Sequence, residues 1–226
     1  MLPKIETERL ILIKMTDTDE KSQHLQWFHK LWTDDAATSW AIHGKCKSFE
    51  DSRALMIEHM TTMDSITYAV FVKPNSTSTS TNDEEPGEHI GSIGFRTHDE
   101  IMHPPPPPPK SATEVSAQIE ADITAPSPFN FRILGYSFFE SSWGHGYATE
   151  ALSALISAYS KMKAEENPNQ LNYLEAGVSH ENPASMRIVE KLGFEQVGWK
   201  SYPDPVWLGW PARWVYGGHW VYGKYV

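Results

Sequence analysis

The hydrophobic residues of this chain fall into short blocks whose spacing switches between the period of strands and the period of helices. Runs rich in Val, Ile, Leu, Tyr and Phe predict strands, and runs with apolar residues three or four positions apart predict helices. The predicted strands are 9–14, 67–72, 90–95, 131–139, 173–178, 195–202 and 215–225. With four helices between them, the order is β-α-α-β-β-β-α-β-α-β-β. This order predicts an α/β or α+β fold built around a mixed sheet.

Capping residues mark the ends of the four predicted helices. The first helix is expected to begin at Thr16 or Asp17, and the second at Ser48. The third covers 146–163, and the fourth covers 182–193, which opens with Asn-Pro and closes with Gly. The third helix carries a continuous apolar face, formed by Ala151, Leu152, Leu155, Ile156 and Tyr159.

Two stretches of low complexity interrupt this pattern. Residues 74–88 are small, polar or acidic and hold nothing apolar to bury, which predicts a mobile loop. Residues 104–109 are consecutive prolines, which favour a polyproline II spacer, although they would also suit a proline-binding partner. Weak periodicity over 115–123 leaves helix and extended chain both open. We therefore expect one domain over 1–226 with flexible insertions near 74–88 and 99–128.

The charge and the cysteine count exclude several classes of partner and site. The net charge of −10 repels phosphate backbones, so we expect no nucleic-acid partner, whereas amines and other cations are attracted. A single cysteine, Cys46, excludes a disulfide framework and a cysteine-rich metal site, and no metal is expected. No apolar run of about 18 residues is present, and the N-terminus lacks the apolar core of a signal peptide. These features predict a cytoplasmic protein without a membrane partner.

The strongest chemical signal is a glycine turn inside residues 135–152. An apolar, strand-like run is followed by Gly144 and Gly146, and a helix-like run then begins. A glycine turn between a strand and a helix directs several backbone N–H groups, together with the positive end of the helix dipole, at one point. This geometry suits a phosphate or pyrophosphate group.

The order of the elements and three motifs resemble the GNAT family of N-acetyltransferases, and within it the ribosomal-protein-alanine acetyltransferase branch. The motifs are E-T-E-R-L-I-L at 6–12, the glycine turn with its flanks at 135–151, and N-P-A-S-M-R-I-V-E-K-L-G-F at 182–194. The resemblance covers nearly the whole chain apart from the two insertions. It implies the GNAT fold, a mixed sheet of about seven strands that splays between the fourth and fifth predicted strands and is flanked by about four helices.

The same resemblance implies acetyl-coenzyme A (acetyl-CoA) as co-substrate and assigns its pyrophosphate to the glycine turn. Trp143 stands where the family usually has Arg or Gln, but in the family the pyrophosphate is bound mainly by main-chain N–H groups. The end of the fourth strand would offer backbone groups to the pantetheine arm, and Asn182 would either contact that arm or only cap its helix. His145 is expected at the surface beside the phosphates. The implied cofactor-binding residues are Phe138, Phe139, Trp143, Gly144, His145, Gly146, Tyr147, Ala148, Thr149, Asn182 and Ser185.

Acetyl transfer to an amine needs a base for the amine proton and a donor for the leaving thiolate. Many family members supply the donor from a Tyr seven residues after the Asn, but Val189 occupies that position here. Ser185 is the nearest substitute, and water is the alternative. Glu150 is expected to make a structural hydrogen bond instead. The identity of the base stays open among four residues near the predicted cleft, Glu140, Glu175, His180 and Glu181. The predicted catalytic residues are Ser185, His180 and Glu140.

Aromatic residues near both ends of the chain are candidates for the acceptor site. They would form an apolar pocket whose ring faces favour cations, although core packing and a dimer seam explain them equally well. Residues 207–214, which include Pro211, are expected to form a mobile loop. The candidate side chains are Trp27, Trp32, Trp40, Tyr202, Trp207, Trp210 and Trp214.

The sequence therefore predicts an acetyl-CoA-dependent N-acetyltransferase. The acetyl group would pass to a primary amine of a small molecule or a protein N-terminus by direct attack in a ternary complex, and the protein would be a monomer or a homodimer. The alternative is a non-catalytic acyl-CoA-binding protein of the same fold. The missing tyrosine at Val189 favours that alternative, and the intact glycine turn with Asn182 and Ser185 opposes it.

Overall fold

The computed structural model describes residues 1–74, 86–97 and 129–226 of the chain. The predictions for the insertion at 99–128, with its polyproline run and the 115–123 segment, fall outside the described residues. So does most of the loop predicted at 74–88.

Strands and helices occupy the described chain in nearly the predicted order, with a short 3-10 turn at Glu140–Ser142 before the third helix. The described helices are α1 (Gln23–Trp32), α2 (Phe49–Thr61), α3 (Tyr147–Glu166) and α4 (Pro183–Lys191). The strands are β1 (Lys4–Glu6), β2 (Leu10–Lys14), β3 (Ile66–Val72), β4 (Glu88–Arg96), β5 (Phe129–Phe138), β6 (Leu171–Ser179), β7 (Glu195–Ser201), β8 (Val206–Gly209), β9 (Ala212–Val215) and β10 (Gly218–Tyr225).

Eight of these strands form one mixed sheet in the order β1-β2-β3-β4-β5-β6-β10-β7. Its neighbours are antiparallel except β5 and β6, which run parallel. That parallel pairing ends at Ile133↔Glu175, while β5 continues along β4 to Phe138↔Gly91 and β6 continues along β10 to Ser179↔His219. The two strands therefore diverge after Ile133 and Glu175 and leave a cleft between them, which confirms the predicted splay.

Each face of the sheet is covered by two helices. On one face α3 and α4 pack against alternate strand residues such as Val70 and Leu174. On the other face α1 and α2 pack against the residues between them, including Ala69 and Phe71. The predicted apolar face of α3 is confirmed, since all five of its side chains are buried, namely Ala151, Leu152, Leu155, Ile156 and Tyr159.

Local hydrogen bonds explain where the helices begin. Ser48 caps α2 by accepting from the Asp51 N–H, as predicted. The start predicted for α1 at Thr16 or Asp17 is wrong, because Ser22 is the N-cap and accepts from the Leu25 N–H. The segment before it is held in successive turns by aspartate side chains instead, with Asp17 accepting from the Asp19 N–H and Asp19 from the Lys21 N–H.

One loop and one strand end also differ from their predictions, and one strand was missed. Residues 207–214 form most of the antiparallel hairpin β8–β9 rather than a mobile loop, with Trp207 paired to Trp214. β5 ends at Phe138 rather than Phe139, because Phe139 leads into the 3-10 turn. The short strand β1 was not predicted. None of the helices in the described ranges is long and apolar enough to cross a membrane.

Candidate active site

The glycine turn lies where the cleft between β5 and β6 opens. Gly144 and Gly146 both have a φ of 78°, which a residue with a Cβ atom rarely adopts. The space above them is open, since a Cβ added to Gly144 would meet no atom within 4 Å and one added to Gly146 would meet only the Arg9 guanidinium, at 3.7 Å. The turn therefore leaves room for a ligand to approach the backbone closely.

The N-terminus of α3 supplies donors to the same space. Gly146 is its N-cap and has no side chain to accept from the first turn, and the first bond within the helix runs from the Glu150 N–H to the Gly146 carbonyl. The N–H groups of Tyr147, Ala148 and Thr149 precede that bond, so they have no acceptor in the helix. Together with the dipole of a 20-residue helix, they form a binding site for an anion.

The N-terminal segment of the chain braces this turn. The Glu150 carboxylate accepts from the Thr7 hydroxyl at 2.5 Å and from the Arg9 N–H at 3.0 Å. The Arg9 guanidinium donates to the His145 carbonyl at 3.1 Å and lies 4.7 Å from the centre of the Tyr147 ring. Burial acts to raise the pKa of Glu150, but the hydrogen bonds from Thr7 and Arg9 and the charge of Arg9 together outweigh it and lower that pKa. The structural role predicted for Glu150 is confirmed.

The edge of β5 supplies backbone groups to the cleft. The Phe139 N–H donates to the Ile90 carbonyl of β4, and backbone groups alternate in direction along an antiparallel pair. The backbone groups of Tyr136 and Phe138 therefore face the cleft. The Trp143 indole N–H reaches across to the Phe138 carbonyl at 2.9 Å. Both backbone groups of Phe139 are engaged inside the protein, because its carbonyl accepts from the Ser142 N–H and hydroxyl.

The first turn of α4 approaches the cleft from the β6 side. Asn182 caps the helix with its Oδ1, which accepts from the Ser185 N–H at 3.0 Å. Asn182 thus has the capping role that was predicted for it. Its Nδ2 group takes no part in this cap. Ser185 is half-buried, and its hydroxyl forms a short hydrogen bond with the hydroxyl of Tyr136.

Tyr136 was missed by the sequence reasoning. Burial raises the pKa of this phenol to about 12, although the hydrogen bond to Ser185 acts in the opposite direction. The available signal was strand alternation, since Tyr136 lies two residues before Phe138 and shares its face. Val189 is fully buried, so the position at which the family resemblance expects a tyrosine belongs to the core here.

The candidate bases lie at different places around the cleft. His180 and Glu181 occupy the turn between β6 and α4, where the His180 ring lies 5.7 Å from the Trp199 ring of β7. Glu140 is exposed in the 3-10 turn after β5. Glu175 is fully buried in β6, opposite Ile133, at the point where the sheet splays.

A cavity of about 350 Å³ lies beside the cleft, between the α1–α2 connection and the β8–β9 hairpin. The Arg213 guanidinium stacks 4.3 Å above the Trp40 ring and lies 3.5 Å from the Glu181 carboxylate. The cavity therefore combines tryptophan faces with one cation and one anion. Its lining residues are Ser39, Trp40, Trp143, Glu181, Trp210, Pro211 and Arg213.

The other aromatic candidates for an acceptor pocket lie elsewhere. Trp27 packs edge-on against Phe71 with ring centres 4.7 Å apart, and Trp32 stacks on Phe28, so both belong to the core under α1 and α2. Trp207 and Trp214 form an exposed pair on the hairpin. The Tyr202 hydroxyl lies 3.2 Å from His219.

A second cavity, of about 420 Å³, begins at Thr149 and extends between α3 and the end of α4. Its lining includes three serines of α3 together with Lys191 and Lys224. Lys224 also donates to the Leu192 carbonyl at 2.6 Å. In the parts of the chain that the structure describes, no group of three or more His, Cys, Asp or Glu residues is placed to hold a metal ion.

Comparison with known sequences adds a family match to this geometry. Residues 9–195 match the model of the acetyltransferase (GNAT) domain, which is more than half of the chain. No protein of curated function matches the sequence at a significant level.

Solved structures share the fold at low sequence identity. A GNAT-family acetyltransferase from Bacillus anthracis is 17% identical, with a TM-score of 0.56 and coverage of 98% of this chain and 97% of that one. RimL, a ribosomal-protein α-N-acetyltransferase in complex with coenzyme A, is 15% identical, with a TM-score of 0.60 and coverage of 99% and 98%. An acetyltransferase from Salmonella typhimurium that modifies the N-terminal serine of a ribosomal protein is 15% identical, with a TM-score of 0.59 and coverage of 99% of each chain.

Proposed function

This chain belongs to the GNAT acetyltransferase family and is an acetyl-CoA-dependent N-acetyltransferase, and we propose that it acetylates a primary amine by direct attack in a ternary complex. The acceptor is the amine of a small molecule or of a protein N-terminus. The observation that carries this proposal is the uncapped N-terminus of α3, with Gly144 and Gly146 in left-handed conformation, at the mouth of the cleft between β5 and β6. We further propose that residues 1–226 form one acetyltransferase domain.

The donor set of the glycine turn fits the pyrophosphate of acetyl-CoA. The N–H groups of Tyr147, Ala148 and Thr149 would hold the phosphates, while the turn from Trp143 to Gly146 shapes the space around them. Two lysines, Lys191 and Lys224, line the cavity that begins at Thr149. They would offer positive charge to the nucleotide end of acetyl-CoA. The donors at the turn are backbone groups, as expected for a site in which Trp143 replaces the usual Arg or Gln of the family.

We assign the pantetheine arm to the exposed edge of β5. Phe138 and Tyr136 present backbone groups to the cleft, and the Nδ2 donors of Asn182 lie on its opposite side. Phe139 keeps its predicted place among the cofactor residues through its ring alone, because its N–H and carbonyl are both engaged internally. His145 borders the phosphate site at the surface, where its ring stacks on Tyr147.

When bound, acetyl-CoA supplies an acetyl thioester. The amine nitrogen would form a bond to the carbonyl carbon of this thioester, the C–S bond would break, and the sulfur would leave as a thiolate. The protein's share is to position the two reactants and to hold or move protons. We propose Ser185 as the donor of a hydrogen bond to the sulfur. For the proton of the amine, we propose His180, Glu140 or Glu181. Among these three, Glu181 lines the cavity next to the cleft.

We propose that the amine enters through the cavity formed by Trp40, Trp143 and Trp210. The tryptophan faces favour a cationic or apolar group, and the net charge of −10 attracts protonated amines to the protein. The same charge argues against nucleic acid as a partner. We also propose that the protein acts in the cytoplasm, as a monomer or a homodimer.

The RimL-like branch is the part of the family in which we place this chain. The E-T-E-R-L-I-L motif at 6–12 and the fold shared with RimL support this assignment. RimL is named for acetylating the α-amine of a ribosomal protein, and a protein N-terminus is therefore one of the two acceptor classes that we propose.

The proposal is tested with the purified full chain in two steps. Isothermal titration with coenzyme A, and with dephospho-CoA in parallel, measures cofactor binding and the contribution of the lysine-lined cavity. A thiol-release assay then screens a panel of small amines and of short peptides with free or blocked N-termini. We expect coenzyme A to bind and at least one free amine to release thiol. Binding without release from any amine would instead support the non-catalytic acyl-CoA-binding alternative.

A further inference from the structure

The hydroxyl groups of Tyr136 and Ser185 meet across the cleft, although 49 residues separate them in sequence. Tyr136 projects from the edge of β5, and Ser185 lies in the first turn of α4. The Tyr136 hydroxyl also lies 3.4 Å from the Ser185 carbonyl oxygen, near the outer limit for a hydrogen bond. The closest polar contact of the tyrosine is thus the serine hydroxyl.

The chemistry of the pair favours one direction for this hydrogen bond. A phenol is a stronger acid than an aliphatic alcohol and therefore the better donor, whereas the serine oxygen has two lone pairs to accept with. The Ser185 carbonyl is a weak competitor for the tyrosine proton, because it is distant and belongs to the helical hydrogen-bond series of α4. With Tyr136 donating to Oγ, the Ser185 proton has to point elsewhere.

We propose that Tyr136 is a positioning residue: its hydroxyl donates to Ser185 Oγ and thereby directs the serine proton toward the sulfur of the bound cofactor. This inference rests on the proposed role of Ser185 as the hydrogen-bond donor to sulfur. Hydrogen bonds in series polarise one another, so the pair donates more strongly to a thiolate than an isolated serine does.

The proposal moves no proton from the tyrosine. Burial raises the pKa of Tyr136 to about 12, well above that of a thiol, so the phenol keeps its proton while the thiolate is formed. Tyr136 and Ser185 together stabilise the negative sulfur by hydrogen bonding only. Val189, at which the family resemblance implies a tyrosine, is enclosed in the core and offers no such donor.

The experiment measures the pKa of the coenzyme A thiol while it is bound to the protein. The ultraviolet absorbance of the thiolate is followed against pH, in a Cys46→Ser background so that the protein's own thiol does not contribute. The variants are Tyr136→Phe, Ser185→Ala, the double variant and Ser185→Thr, which keeps the hydroxyl. Tyr68→Phe is the matched control. It removes a tyrosine hydroxyl on the same face of the sheet as Tyr136, but that hydroxyl donates to the Leu2 carbonyl and not to Ser185.

We expect Ser185→Ala to raise the thiol pKa by about one unit, which corresponds to losing one hydrogen bond to a charged group. Tyr136→Phe should also raise the thiol pKa, the double variant should match Ser185→Ala, and Ser185→Thr, which keeps the hydroxyl, should leave the thiol pKa near that of the parent. Tyr68→Phe should leave it unchanged. Melting temperatures identify any variant that fails to fold.

Each other outcome overturns a defined part of the proposal. If Ser185→Ala shifts the thiol pKa but Tyr136→Phe behaves like Tyr68→Phe, Tyr136 does not position the serine. If Ser185→Ala also leaves the pKa unchanged, the role of Ser185 in the proposed function fails and the inference falls with it. Failure of the Cys46→Ser parent, confirmed to be folded, to bind coenzyme A would refute the cofactor site itself.

Discussion

Arg9 and Glu150 are 141 residues apart in the sequence, yet two nitrogens of the Arg9 guanidinium contact one oxygen of the Glu150 carboxylate. Arg9 Nε lies 2.7 Å from Glu150 Oε2, and Nη2 lies 2.6 Å from the same oxygen. Because Arg9 also donates to the His145 carbonyl, the contact joins the start of β2 to both the glycine turn and α3. The shape of the glycine turn thus depends on the N-terminal segment of the chain.

Arg9→Ala should weaken coenzyme A binding about threefold to tenfold, because the turn loses its brace while its backbone donors remain. We expect the free energy of unfolding to fall by about 1 kcal/mol, since the ion pair is partly exposed. Isothermal titration and urea denaturation measure the two effects. Lys4→Ala is the control, because it removes the exposed Lys4–Glu6 pair, and an equal loss of affinity in both variants would contradict the brace.

Gly146→Glu should reduce coenzyme A affinity by at least about an order of magnitude. The new side chain would strain a backbone with a φ of 78° and place a carboxylate beside the phosphate donors. Gly44→Glu is a matched control, since Gly44 has a φ of 73° and equally open surroundings in the α1–α2 connection. Retention of full affinity in Gly146→Glu would show that the phosphates bind elsewhere.

Val189→Tyr should not restore a family-type acid. Val189 is fully buried, so the larger ring has to displace core side chains and should cost about 1–3 kcal/mol of unfolding free energy. Val189→Ile, which adds far less volume, should be tolerated better. Urea denaturation and thiol release test this together; a Val189→Tyr enzyme that is as stable as the parent and turns over faster would contradict it.

Trp40→Ala should raise the KM for the amine while coenzyme A affinity stays unchanged. Trp40 stacks on Arg213 and lines the proposed acceptor cavity, whose lining includes no residue of α3. The expected loss is about tenfold, in the range of a cation–π contact combined with lost packing. Trp207→Ala serves as the control, because it removes an exposed tryptophan of the β8–β9 hairpin that does not line this cavity. A KM effect of the same size from both variants would place the acceptor elsewhere.

The free energy of unfolding should fall in mild acid because of His89. Burial lowers the pKa of this histidine to about 4, while its Nε2 bonds the Gly91 carbonyl. As the pH falls, His89 therefore binds a proton in the unfolded chain before it does so in the folded protein. Its full contribution to the free energy of unfolding is present above the pKa of histidine in the unfolded chain and is lost as the pH falls below that value. Between about pH 7 and pH 5 the loss should be about 1–2 kcal/mol.

Urea denaturation at both pH values measures this loss. His89→Gln can still donate to Gly91 but does not titrate, so its stability should depend less on pH by that amount. His43→Gln, at an exposed histidine, should retain the parent's dependence. Identical pH dependence in the parent and His89→Gln would remove His89 from this role.

Periodicity predicted most of the fold because the relevant forces are local. The apolar face of α3 and the cap at Ser48 follow from residues within a few positions of one another. The first helix was placed too early because Thr16 and Asp17 are plausible caps, and only the turns held by Asp17 and Asp19 show that the chain is not yet helical there.

The sequence by itself determined the donor of the reaction. The glycine turn with its helix and the Asn-Pro-Ala-Ser motif are contiguous segments, so their spacing already indicates a phosphate site and a family. Tertiary structure alone decided which distant side chains meet. It placed Tyr136 against Ser185, Arg9 against Glu150, and Trp40 beside the hairpin, because these contacts depend on how strands and helices pack rather than on neighbouring residues. It also enclosed Val189, the position at which the family resemblance implies a tyrosine, in the hydrophobic core.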